Sequence, residues 1–233
     1  MQPFDLAAVF SNPDFVSMIL TGIRFTFLVF AGSWLLGMAL AAALLTIRLM
    51  PSAIAQHAVA AYVSYHRNVP TLVQLMLWYF GISNLLPDDL QAWLADHNGE
   101  AIFAIIALGL CQAAFFSEDL RSGLRAVAPG QAEAARALGH SYLGSMRWVI
   151  LPQAVRNAIP ALVNHSVSLF KNSSLAMAIG VAELTHAVRE VESRSFRTFE
   201  VYAVGTLFYL VVSLLLMAAG AVLARRFRLA AAR

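Results

Sequence analysis

Lys171 is the only lysine in 233 residues, and it stands in the run Ser168-Leu169-Phe170-Lys171-Asn172-Ser173-Ser174. A lysine can hold a phosphate, activate a serine or meet a carboxylate, and its neighbours decide which. No glycine-rich GxxxxGK[ST] loop precedes it, so the chain does not hydrolyse ATP by that route. Ser168 and Lys171 have the S-x-x-K spacing of acyl-enzymes, but a partner K-T-G cannot exist without a second lysine. HExxH, GxSxG, paired cysteines and histidine pairs at ligand spacing are missing, although six histidines are present, which disfavours a metal centre or a hydrolase. His165 and Ser168 at i, i+3 are the one base and nucleophile worth naming, and a satisfied core histidine is the simpler reading of them.

What remains is a group of polar side chains set in apolar sequence: Arg67, Asn68, Gln74, Gln112, Glu118, Asn164, Lys171 and Asn172. Of all residues, 60% are apolar and only 12% charged, against about a quarter charged in an ordinary soluble domain. The apolar residues come in long runs, so the chain reads as an all-α integral membrane protein, not a barrel of alternating segments. A helix needs about 20 residues to cross roughly 30 Å of hydrocarbon, so the length allows about five or six spans. A charge at the centre of a span costs at least about 2.5 kcal/mol unless it finds a partner or water. Two readings of the polar group stay open: structural pairing, for example Lys171 with Glu118, or a substrate path.

The elements that must position these residues follow from the apolar runs, and the whole of 1–233 reads as one transmembrane domain. Asn12, Pro13 and Asp14 make a capped helix start. Spans are expected at about 22–47, 59–85, 101–120, 159–184 and 201–224, the second interrupted by His66, Arg67, Asn68 and Pro70. Cys111 lies within an apolar run and reads as packing. The first basic residue is Arg24, so no cleavable signal is expected and the first run should be retained. The net charge of +3 comes from 16 basic and 13 acidic residues. In a membrane chain it reports topology, not nucleic acid binding. Arg48, the loop 121–156 and the tail with Arg225, Arg226, Arg228 and Arg233 collect the basic residues on one side, and Asp88, Asp89, Asp96 and Glu100 lie on the other. The N-terminus is therefore expected outside and the C-terminus in the cytoplasm.

The cytoplasmic loop reads Gly130-Gln131-Ala132-Glu133-Ala134-Ala135-Arg136-Ala137-Leu138-Gly139, with Ile150-Leu151-Pro152 later. Small residues and one acid build a short helix, and Gly139 can end it in the left-handed conformation. A second short helix through Arg147 and Ile150 is expected to stop at Pro152. This pattern closely resembles the EAA loop of binding-protein-dependent ABC importer permeases: EAA, three residues and a Gly, then I-x-L-P. Glu133, Ala134, Ala135, Gly139, Ile150, Leu151 and Pro152 carry the likeness.

The resemblance implies that this helix, with Leu138 beside it, docks on a cytoplasmic ATPase. Small Ala134 and Ala135 would permit close approach, and Glu133 would fix orientation by a charge-assisted hydrogen bond. It also implies no cofactor in this chain, since ATP and Mg would sit on two partner ATPase subunits. A second permease subunit, like or homologous, and a periplasmic binding protein that delivers substrate complete the implied inner-membrane assembly.

Further segments resemble polar amino-acid importers, whose second span carries R-G-T-P-x-x-x-Q and whose fourth carries K-D-T-S-L. Here they read Arg67-Asn68-Val69-Pro70 with Gln74, and Lys171-Asn172-Ser173-Ser174-Leu175, so the likeness covers about 20–225. These departures look like the glutamate/aspartate branch and the related broad-specificity branch. Neutral Asn172 replaces an aspartate beside Lys171, and a unit charge about 4 Å from a substrate carboxylate matters by roughly 4 kcal/mol at an effective dielectric of 20. The expected substrate is glutamate or aspartate, with glutamine or a broad range of polar amino acids as the alternative. Lys171, Asn172, Ser173 and Glu118, then Gln74 and Arg67, are the expected path residues. A stand-alone secondary carrier is the rival of another class, and it lacks the internal inverted repeat such carriers usually show.

Overall fold

The computed structural model describes residue 5 and residues 7–226, and among them it contains helices and no strand. Arg228 and Arg233 of the basic tail lie outside the described residues. A short helix α1 (Ala7–Phe10) precedes α2 (Pro13–Arg48), whose start is the expected one: the Asn12 side chain accepts from the Asp14 amide at 2.9 Å. At 36 residues α2 runs from this cap through the whole of the span expected at about 22–47. With α6 (Gly99–Arg125) and α11 (Thr198–Arg226) it is one of three helices, among the described residues, that are long and apolar enough to cross a membrane.

The second expected span is not a continuous helix. α3 (Ala53–Asn68) stops at Val69, which is extended at φ −97°, ψ 132°. Pro70 forces this, because its ring excludes the helical region for the preceding residue and it brings no N–H. The chain resumes as α4 (Thr71–Met76), passes through a π turn at Leu77–Gly81 and ends in a 3₁₀ turn at Ile82–Leu85. The break would orphan carbonyls at the end of α3. Gln74 closes it: its Nε2 donates to the carbonyls of Val69 at 2.7 Å and His66 at 3.1 Å, while its Oε1 meets His66 Nδ1 at 2.5 Å. Gln74→Ala should therefore destabilise the subunit by about 1–3 kcal/mol through unsatisfied buried groups. Thermal unfolding of the purified subunit measures it, and an unchanged midpoint would remove Gln74 from this role.

The acidic loop folds as α5 (Asp88–Asp96). α6 then runs through the centre of the bundle, buried against α2 on one side and α9 (Leu151–Asn172) on the other. Polar ties join the three helices to one another. Trp34 Nε1 donates to Ser166 Oγ at 2.9 Å, Gln112 Nε2 to the His165 carbonyl at 3.4 Å, and Asp119 Oδ2 faces His165 Nδ1 at 2.6 Å. His165 is thus engaged by Asp119, and no hydrogen bond joins it to Ser168 among the described residues, which removes the hydrolase pair.

The stretch of the fourth expected span, 159–184, is likewise not one continuous helix. α9 begins at Leu151, earlier than residue 159, and gives way to a 3₁₀ turn at Ser173–Ile179 that Gly180 ends at φ +93°. The charged stretch after it forms α10 (Leu184–Ser195), wedged between α2 and α11. Its first turn is capped by buried Glu183, which accepts from the amides of Thr185 and His186 and from the Tyr209 hydroxyl, each at 2.9 Å.

Candidate functional site

The loop between α6 and α9 forms α7 (Pro129–Ala137), where proline occupies the first turn without loss because that amide has no partner there. Gly139 ends the helix at φ +87°. The Gly139 amide donates to the Arg136 carbonyl at 3.0 Å and the His140 amide to the Ala135 carbonyl at 3.1 Å, the paired bonds of a left-handed helix stop. Only a short α8 (Tyr142–Ser145) follows, capped by the Ser141 hydroxyl.

The second loop helix does not stop at Pro152. From α8 the chain continues through a π turn at Met146–Ile150 directly into α9, with Pro152 in its first turn. Within this wider turn the Leu151 amide reaches back five residues to the Met146 carbonyl, so the ladder stays closed up to the residue before the proline, which has no N–H to donate. α7 turns Ala135 inward against this segment and leaves Glu133, Ala134, Leu138 and Gly139 facing outward. Leu138 is 82% exposed, with Tyr142 and Leu143 exposed beside it. The result is an apolar patch around one carboxylate at the tip of a bundle.

A second polar centre lies on α3 and α6. Arg48, Ser64, Arg67, Asn68 and Glu118 line a cavity of about 380 Å³ with Ala60 and Val63. Glu118 is ion-paired with Arg48 and with Arg121, whose Nε is 3.2 Å away. The Arg67 guanidinium lies 5.6 Å from the centroid of the Phe115 ring, a cation–π contact. The opposite face of this arrangement is continuous with the bundle, since Phe115 also meets the His165 ring at 5.0 Å.

Of the expected path residues, the fold brings Arg67 and Glu118 together. Gln74 is spent on the helix break, and Lys171, Asn172 and Ser173 do not line this cavity. The pairing of Lys171 with Glu118 does not form: Arg48 and Arg121 hold that carboxylate, and Lys171 stands about 9 Å along α9 beyond His165, which meets the neighbouring Asp119. Lys171 is exposed at the end of α9 without a carboxylate partner among the described residues, while Ser173 is buried and donates to the Phe170 carbonyl at 2.7 Å. Arg48 was visible in the sequence only as a basic helix end, and nothing in its local sequence linked it to Glu118, 70 residues on.

Comparison with known proteins agrees with this architecture. Residues 33–229 match the family described as binding-protein-dependent transport system inner membrane component. A probable glutamine ABC transporter permease protein, GlnM of Bacillus subtilis, is 35% identical over 207 residues, covering 86% of this chain and 89% of the relative. The glutamate/aspartate import permease protein GltJ of Escherichia coli K12 is 27% identical over 226 residues, covering 95% of this chain and 92% of GltJ. A crystal structure of an amino acid ABC transporter with histidines superposes with a TM-score of 0.82 at 27% identity, covering 97% of this chain and all of that one. The chain belongs to the binding-protein-dependent transport system inner membrane component family, among the membrane-embedded permease subunits of amino-acid ABC importers, and is a transporter subunit, not an enzyme.

Proposed function

We propose that this permease carries glutamate and aspartate. The observation that supports this most is the cavity in which Arg48 and Arg67, with Arg121 behind, outnumber the single carboxylate of Glu118. An amino acid with a carboxylate side chain brings two negative groups and one ammonium, which suits a surplus of guanidinium around one acid. Lys171 and Asn172 are six and seven residues beyond His165, about 9–10.5 Å along α9, and form an earlier station for a substrate entering from the outer end.

In this reading five helical spans cross the membrane, α2, the broken pair α3 and α4, α6, α9 and α11. The N-terminus is periplasmic and the C-terminus cytoplasmic, because Arg48, Arg125, Arg136, Arg147, Arg156, Arg225 and Arg226 collect at one end. Five spans are few for a closed path, so two permease subunits, identical or homologous, form it together. A periplasmic binding protein delivers the substrate. Two ATPase subunits, carrying ATP and Mg, dock on the EAA-type helix α7 and switch the path between outward and inward access.

Competition uptake in cells carrying the whole transporter tests the substrate. Asn172→Asp should weaken glutamate uptake at least ten-fold more than glutamine uptake, since an added charge near a substrate carboxylate costs roughly 1.4 kcal/mol or more. Arg67→Gln should shift preference in the same direction. Equal effects on both substrates would favour glutamine, the substrate in the name of the Bacillus relative.

A further inference from the structure

One face of α9 carries an apolar stripe at successive i, i+4 positions, with Leu151 and Val155 exposed and Ile159 and Val163 half-buried. Its lower part is a groove lined by Leu151, Pro152, Val155 and Ile159 and flanked by Arg147 and Arg156. Its upper part opens into a second apolar groove between α9, α2 and α11, lined by Phe30, Trp34, Val163, Leu216, Gly220 and Leu223. The two grooves follow one helix face from a charged rim into the bundle.

The height of that rim relative to the membrane is fixed by neighbouring contacts. The Asn157 side chain donates to the Gly123 carbonyl at 3.4 Å, just before Arg125 ends α6. Val163 packs on Gly220, one to two turns above Arg225 and Arg226. Arg125, Arg156, Arg225 and Arg226 therefore share one level, where the apolar lengths of α6 and α11 finish. Beyond it, eight residues before Arg156 and so about 12 Å further out along the helix, stands Trp148, 67% exposed, with the Arg147 guanidinium 5.1 Å from its ring centroid. Tryptophan and arginine at the end of spanning helices mark the lipid headgroup zone.

We propose that this face of α9 is a binding site for an anionic phospholipid, its phosphate held between Arg147 and Arg156 beside Trp148 and one acyl chain lying along Val155, Ile159 and Val163. Charge selects the headgroup: Arg147 has no carboxylate partner among the described residues, so an anionic lipid supplies the counter-charge that a zwitterionic one supplies only in part. The apolar stripe supplies the remaining affinity by taking acyl-chain methylenes out of water.

Quenching of Trp148 fluorescence by lipids brominated on the acyl chain reads this directly, with Trp148→Phe subtracting the other tryptophans. The purified subunit in detergent is titrated with brominated phosphatidylglycerol or brominated phosphatidylcholine. Half-quenching is expected at a concentration at least five-fold lower for phosphatidylglycerol. The double variant Arg147→Gln, Arg156→Gln should remove that preference, and Arg147→Lys should retain most of it. Equal quenching by the two lipids in the wild-type subunit overturns the proposal whether or not the double variant folds. So does a preference that survives in a folded double variant. Displacement by millimolar inorganic phosphate would make it a free-anion site, and loss of quenching when the partner ATPase binds would make it part of that docking surface; either result overturns it.

Discussion

Gly123→Ala is expected to destabilise the subunit by about 3 kcal/mol, at the upper end of what a single overpacked methyl costs. A Cβ at this position would lie 2.3 Å from the Ala154 carbonyl oxygen, 2.9 Å from the Ala158 amide nitrogen and 2.8 Å from Ala158 Cβ. Two of these are backbone atoms of α9, which cannot turn aside as a side-chain tip can. The helices must separate by on the order of 1 Å to restore ordinary contact, and the separation strains the Asn157 bond to the Gly123 carbonyl and the Asp119 to His165 pair one turn further along. Gly130→Ala is the matched control. It lies in α7 with nothing within 4 Å of the added carbon, so alanine there should be neutral or stabilising by up to about 1 kcal/mol. Thermal unfolding of the purified variants separates the two, and a wild-type midpoint for Gly123→Ala would show that α6 and α9 are not in close contact.

How far the sequence reached can be judged at particular residues. Asn12, Pro13 and Asp14 specify a helix start by local chemistry alone, and Gly139 specifies a left-handed stop in the same way; both are found. Pro152 was misleading because its effect depends on the turn before it, and a π turn lets the helix run through. The charged stretch after Gly180 became helical because Glu183, buried by Tyr209 and the side of α2, caps it; composition marks such a stretch as loop. The polar group within apolar sequence was legible as a group, but its pairing was not. Which arginine meets Glu118 is set by the packing of α2 on α6, a contact between residues 70 apart in sequence. Arg121, only three residues away, could have been paired with Glu118 from helix spacing alone.

Glu133→Ala and Gly139→Asp are each expected to lower uptake at least ten-fold while the subunit stays in the membrane at its normal level. The two act by different physics. Glu133 is exposed and makes no hydrogen bond or ion pair within the described residues, so its removal leaves the subunit's own stability within about 0.5 kcal/mol of wild type. A charge-assisted hydrogen bond to a partner is worth about 1.5–3 kcal/mol, which is a ten- to hundred-fold loss of association per site. Gly139 has nothing within 4 Å of an added Cβ, so crowding plays no part. Its φ of +87° costs an L-residue roughly 1–2 kcal/mol, enough to unwind the stop and swing exposed Leu138 off the apolar patch. Ala135→Leu supplies the contrast: Ala135 is buried against the subunit itself, so this change should lower the thermal midpoint of the isolated subunit, which Glu133→Ala leaves in place. Retention of the ATPase by tagged permease, measured with uptake and membrane level, distinguishes these cases. If Glu133→Ala and Gly139→Asp both transport at the wild-type rate with ATPase retained, α7 is not the element through which ATP drives the path.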